Sequence, residues 1–261
     1  MDNNNLKLED GFLDLKLNEA ITAFREEHKT EYRVLLRVKS FLYEVQDCFV
    51  GKTVSEQDKF LAASIVELNK LFQSAVLLYE RGLPEAANIV VRSILELSFK
   101  TIELIRNENF LQELKMDINT NVSKTLRNIK ENELYDMVSQ TRLDELLSTS
   151  QQLKTQYGNG DISVKKLTER NKMPREYILY RMFCDYPHQS LKVIDEIIDY
   201  TPDGVNLNGD LRSYDFSHSI LMLVSITMIS FPKLLEHSLI DEKLKEQFEL
   251  LQKEFEEIYT P

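Results

Sequence analysis

Glycine and proline are scarce in this chain, at 7 and 6 of 261 residues. A fold of many short strands needs those residues at its turns, so their scarcity argues against a turn-rich all-β architecture. Cysteine is rarer still. Cys48 and Cys184 lie far apart in apolar surroundings, and read as buried free thiols rather than a disulfide or a nucleophile. No uninterrupted apolar run reaches the roughly 18 residues of a membrane span. The closest, Ile220 to Phe231, has the length of a buried core helix. The opening Met-Asp-Asn-Asn-Asn is polar and acidic, unlike a secretion signal, so a cytoplasmic location without membrane contact is expected.

Several chemical signatures are missing as well. There is no Gly-rich phosphate loop, no Gly-x-Ser-x-Gly elbow and no Cys/His cluster at zinc spacing. No Glu precedes any of the four His by three residues, which excludes the paired motifs of a di-iron bundle. Neither a metal nor a cofactor is expected. Cations are outnumbered, 32 Lys and Arg against 43 Asp and Glu, for a net charge of −11. That balance disfavours broad attraction to nucleic-acid phosphates while leaving room for a local basic pocket.

What the chain does have is helical periodicity. Leu83 to Ile105 organises the rest. On a helix, Arg92, Glu96, Lys100 and Glu103 fall on one narrow strip, and Val90, Val91, Ile94, Leu95 and Phe99 are among the residues covering the remaining circumference. An ordinary surface helix shows an apolar arc of roughly 100°, and this one shows about twice that. It is expected at the centre of a bundle.

Around it the pattern continues. Asn18 to Phe49 reads as one long amphipathic helix stopped by Gly51. Ser55 with Asp58 resembles a capping box opening a helix to Arg81, and Gly82-Leu83-Pro84 then turns the chain into the central helix. Residues 56–81 and 84–107 are expected to form an antiparallel hairpin. Lys115 to Gln156 is more polar, two or three helices broken at Asn119, Asn121, Asn128 and Asn132, followed by a loop at Tyr157–Asp161. Ser163 caps a short helix, and Met173-Pro174 starts another through Tyr186. Leu191 to Tyr200 reads as a short helix, 201–210 as a loop, Ser213 to His237 as an apolar helix and Asp241 to Tyr259 as an acidic terminal helix. No stretch alternates strictly enough for a significant sheet. The expectation is a single all-α domain over 1–261, a multi-helix bundle built on the central hairpin. Its core is about 18–110 and 163–237, with 115–160 as a polar insertion and 241–259 as an acidic C-terminal helix.

Three polar groups interrupt the apolar helices. Arg92 and Glu96, four residues apart, form either an exposed ion pair or one lining of a cleft. Tyr180, Arg181 and His188 share the segment Tyr-Arg-Met-Phe-Cys-Asp-Tyr-Pro-His, in which Pro187 breaks the helix before His188. A helix-terminal His can serve as acid or base near neutral pH, or simply bond a helix end. Arg212 and His218 are a second Arg/His pair, at the head of the apolar helix, where Ser213 or Asp215 would act as the cap. His28 and His237 lie among charges and read as surface.

Gly-Leu-Pro-Glu-Ala-Ala…Arg-Ser-Ile-Leu-Glu, followed later by Tyr-Arg-Met-Phe-Cys-Asp-Tyr-Pro-His-Gln-Ser, resembles the bacterial family called domain of unknown function 5677. The matching positions are Arg92, Glu96, Tyr180, His188 and Ser190, over roughly residues 60 to 235. Cys184 stands where that family commonly has Ser. The resemblance implies that the Arg92/Glu96 strip faces His188 across the bundle, and it implies no activity. A looser likeness is to HEPN-type helical ribonucleases, where an Arg precedes a His by a short spacing, as Arg181 precedes His188 and Arg212 precedes His218. That likeness implies metal-independent RNA cleavage in a toxin or phage-defence setting. His188 would be the acid or base, Arg181 or Arg92 would hold the phosphate charge, Glu96 would orient and Tyr180 position, within a homodimer. The other reading is an interaction module with a protein partner, in which the Arg, Glu, Tyr and His form a mutually satisfied polar network.

Overall fold

The computed structural model describes residues 17–134, 138–158, 160–187, 198–201, 204–207 and 216–259. The fold is all-α. Its helices are α1 (Leu17–Glu27), α2 (Lys29–Asp47), α3 (Glu56–Glu80), α4 (Pro84–Arg106), α5 (Phe110–Glu131), α6 (Gln140–Tyr157), α7 (Val164–Asn171) and α8 (Pro174–Phe183). After a two-stranded antiparallel ribbon, β1 (Ile198–Thr201) and β2 (Gly204–Leu207), come α9 (Phe216–Met228), α10 (Phe231–Leu234) and α11 (Glu242–Tyr259).

The local chemistry explains the boundaries. Ser55 accepts from the Asp58 backbone N–H while the Asp58 carboxylate accepts from the Ser55 N–H, so two orphan donors at the start of α3 are satisfied reciprocally. At its other end Gly82 takes φ +68°, the Gly82 N–H donates to the Tyr79 carbonyl and the Leu83 N–H to the Leu78 carbonyl. This double bond pattern closes a helix at a left-handed glycine. Pro84 then opens α4, where its missing N–H costs nothing.

Helices α3 and α4 run antiparallel. Near the turn the Tyr79 hydroxyl donates to Asn88 at 2.7 Å, and at the far ends Gln57 donates to the carbonyls of Leu104 and Asn107. Val91, Ile94, Leu95 and Phe99 of α4 are fully buried, with α3, α7, α8 and α9 packed around them. Helix α2 flanks α3, and α11 lies on α2 through Leu244, Phe248 and Leu251.

Several expected boundaries move. The helix read over 18–49 is two helices, because His28 leaves helical geometry at φ −103°, ψ 35°. Its ring packs against both Phe24 and Phe216, with centroids 4.5 and 4.8 Å away in a three-ring cluster, so tertiary packing places the bend. The asparagines of 115–156 do not break α5. Asn119 is buried, and its amide donates to the Ser150 carbonyl while its oxygen accepts from the Ser150 hydroxyl, tying α5 to α6. Only Asn132 ends the helix. The helix read over 191–200 is contradicted where the structure describes it: Ile198 to Thr201 pairs with Gly204 to Leu207, Ile198 opposite Leu207. The apolar stretch at 213–237 breaks after Met228, since Pro232 cannot continue a helical ladder. Glu56–Glu80 and Phe216–Leu234 are long and apolar enough to cross a membrane by length and composition, each with mean hydropathy 1.3, and here both contribute to the core.

Candidate functional site

The strip on α4 faces protein. Arg92 Nη2 donates to the Tyr180 hydroxyl at 2.8 Å, and Nε donates to Cys184 Sγ at 3.4 Å. The guanidinium carbon also stands 5.1 Å from the centre of the Tyr180 ring, within range of a cation–π attraction. Glu96 lies one turn along α4, 3.9 Å from Arg92 and 2.9 Å from Lys100. The side chains of Arg92 and Glu96 are 26% and 32% exposed, so the pair is a half-buried seam between α4 and α8 rather than a free surface pair. The hydrogen bond to Cys184, joined by the contact with Tyr180, raises the Arg92 pKa against the opposing effect of burial. Burial also pushes the Tyr180 phenol up despite Arg92, so Tyr180 stays neutral. A neutral phenol accepting from a cation orients and holds; it is a poor base.

The same strip continues to Glu103, whose side chain is 6% exposed. Asn171 of α7 donates to Glu103 at 2.8 Å, Arg170 approaches it at 3.6 Å, and Arg106 donates to the Asn171 oxygen at 2.9 Å. A buried carboxylate without such partners would be strongly destabilising. The strip therefore fastens α4 to α7 and α8 along its length.

A third polar centre joins α1, α2 and α3. Glu80 is 2% exposed and receives both prongs of Arg25, at 2.9 and 2.8 Å, plus the Tyr32 hydroxyl at 2.6 Å. Burial and the adjacent carboxylate raise the Tyr32 pKa well above the usual phenol value. Sequence reasoning missed this centre. The available signal was Glu80 falling on the buried face set by Ile65, Leu68, Phe72 and Tyr79.

Among the residues singled out from sequence, the structure brings together Arg92, Glu96, Tyr180 and Cys184. Arg181 is on the exposed side of α8, and His218 is exposed in the first turn of α9. His188, Ser190 and Arg212 lie outside the described residues. Cys48 and Cys184 are free thiols. His28 and His237, read as surface, are instead partly buried. The Ser217 hydroxyl sits 3.3 Å from His28 Nδ1, and His237 Nε2 lies 3.0 Å from Asp58 while its ring packs on Phe49. Among the described residues no cluster of His, Cys, Asp and Glu has the arrangement of a metal site.

The model of one family, described as a family of unknown function (DUF5677), matches residues 58–206. That span runs from the first turn of α3 through β2 and holds the whole Arg92–Tyr180–Cys184 seam. No curated protein and no solved structure matches the chain.

Proposed function

We propose, from the premise that this chain belongs to the family of unknown function DUF5677, that it is a helical interaction module in which the Arg92 cluster fixes helix register. The observation that carries this reading is the use of Arg92 itself. Its Nε and Nη2 both donate inward to α8, so both donors are already engaged by protein groups. A guanidinium serving a phosphate would present its fork to an open cleft. Here the cation, the phenol, the thiol and Glu96 satisfy one another across the α4/α8 seam. Such networks specify one packing among several that an apolar helix face would accept.

In this reading the exposed acidic side of α11 is available to a protein partner. The competing reading is metal-independent ribonuclease chemistry at His188, and one assay separates the two. Wild type and His188→Ala are incubated with total cellular RNA in the presence of chelator. Intact RNA with both proteins is expected. Cleavage by wild type that disappears in His188→Ala would overturn the module.

A further inference from the structure

We infer that the face of the bundle centred on α2 is a self-docking surface, on which two copies of this chain pair about a two-fold axis running along α2. Arg25, Lys29, Arg33 and Arg37 form an i, i+4 row along α1 and α2. With Lys39 they line one side of a groove of about 900 Å³, whose other wall is Phe72, Val76 and Leu77 of α3. Glu26 and Glu80 are the acids in the lining; Glu80 and Arg25 neutralise one another, and Lys29 lies 3.7 Å from Glu26 in an exposed pair, so the lining keeps a cationic excess of five to two. Leu36 and Leu77, on opposite sides of the groove, are 57% and 53% exposed. One wall is cationic and the other apolar. The shape and chemistry fit an acidic amphipathic helix.

The chain carries such a helix next to the groove. Arg37 and Ser40 also line a smaller crevice of about 260 Å³ between α2 and α11, against Gln247, Leu250 and Leu251, where Arg37 pairs with Glu254 of α11 at 2.5 Å. Residues 242 to 259 hold six Glu and three Lys. Glu246, Glu249, Glu256 and Glu257 are exposed, and Leu250 is 56% exposed among them. The α2 ridge thus separates a cationic groove from a convex acidic helix.

A two-fold axis parallel to α2 exchanges those two sides. Each copy's α11 then lies over the other's groove, and the favourable contact is made twice. An axis across α2 would set α11 on α11, acid against acid. The size is adequate. At about 1.5 Å per residue α2 is roughly 28 Å long, and three helices abreast at about 8–10 Å spacing give a face of about 670–840 Å² per copy. A standard interface takes about 800 Å² from each partner.

The inference uses none of Arg92, Tyr180 or Cys184, so it stands or falls separately from the role of that cluster. Its test uses two charge-reversed full-length proteins, Lys29→Glu with Arg33→Glu and Glu246→Lys with Glu249→Lys. All four positions are exposed, and circular dichroism checks that each protein keeps its helices. Sedimentation equilibrium up to roughly 100 µM is expected to show wild type as a dimer, twice 30.6 kDa. Each variant alone should dissociate at least about 10-fold more readily. Mixed in equal amounts, the two variants should regain the dimer, because one interface half is doubly reversed and the other is wild type. A monomeric wild type, a dimer indifferent to both reversals, or a mixture that stays monomeric would each overturn the proposal.

Discussion

Arg92 reaches from α4 to α8 and donates through Nη2 to the Tyr180 hydroxyl at 2.8 Å. That contact converts a charged strip on the central helix into a seam of the core. Glu96, Lys100 and Glu103 follow it along α4, and Glu103 meets α7 as Arg92 meets α8. Charged residues at i, i+4 spacing are compatible with solvent and with a polar seam alike. Burial distinguishes the two.

Removing the phenol oxygen with Tyr180→Phe takes away one charge-assisted hydrogen bond in a half-buried place, at about 1 kcal/mol. Arg92→Ala loses that bond, the ring contact and the packing of the Arg stem, for about 1–2 kcal/mol. Urea unfolding of both single variants and the double variant should give a coupling energy of about 0.5–1.5 kcal/mol. Strict additivity would mean that the two side chains do not hold one another in solution.

Glu80 and Arg25 should respond unequally to loss of their partner. The Arg25 side chain is 51% exposed and can turn to water, whereas Glu80 at 2% cannot. Arg25→Ala strands a buried carboxylate with only Tyr32, and is expected to cost about 2–3 kcal/mol. Glu80→Met leaves Arg25 free to hydrate and fills the same volume, for about 1 kcal/mol or less. Denaturant midpoints with unchanged slopes check the order. Equal losses would show that Arg25 has no route to solvent.

Helical class, the capping box at Ser55, the turn at Gly82 and Pro84, and the burial of α4 were all legible in the sequence, because each rests on spacing within one segment. The bend at His28 was not. It depends on Phe216, nearly 190 positions away, closing over the ring. Asn119 reads locally as a helix breaker and becomes a helix–helix tie only because Ser150 stands opposite. At the candidate site, Arg92, Glu96 and Tyr180 can be named from motif, and Cys184 stands in the same segment. Their arrangement required knowing which face of α4 meets α8. Glu80 is hidden from such a reading because periodicity counts apolar residues, and a buried acid interrupts the count.

Alkali should destabilise the fold through its buried tyrosines. Burial raises the phenols of Tyr32 and Tyr79, the first further through Glu80, the second also through the charge of Tyr186. A raised folded pKa means that stability is fully present below the ordinary phenol value of about 10 and is lost as pH climbs beyond it. In a phenolate absorbance titration of the 11 tyrosines, those two should ionise last, together with loss of helical circular dichroism. Tyr32→Phe should remove one late proton. Ionisation of all tyrosines in one ordinary step with the helices intact would contradict the burial argument.

Acid should weaken the start of α3 through Asp58. Burial works to raise its carboxyl, but the bonds from Ser55 and His237 outweigh it, and the net shift is downward. Stability from a depressed carboxyl is present above its unfolded value of about 4 and is lost as pH falls through the folded value. Asp58→Asn keeps an oxygen for the Ser55 N–H and removes the charge at the start of α3. The expected loss is about 0.5–1 kcal/mol at neutral pH, from the weakened cap and the His237 contact. Once the pH falls below the depressed folded value the Asp58 carboxyl is itself neutral, so the two proteins should converge in stability. Urea midpoints measured from neutrality into acid check this. Curves that stay parallel throughout would mean that the charge of Asp58 contributes nothing to the α3 cap.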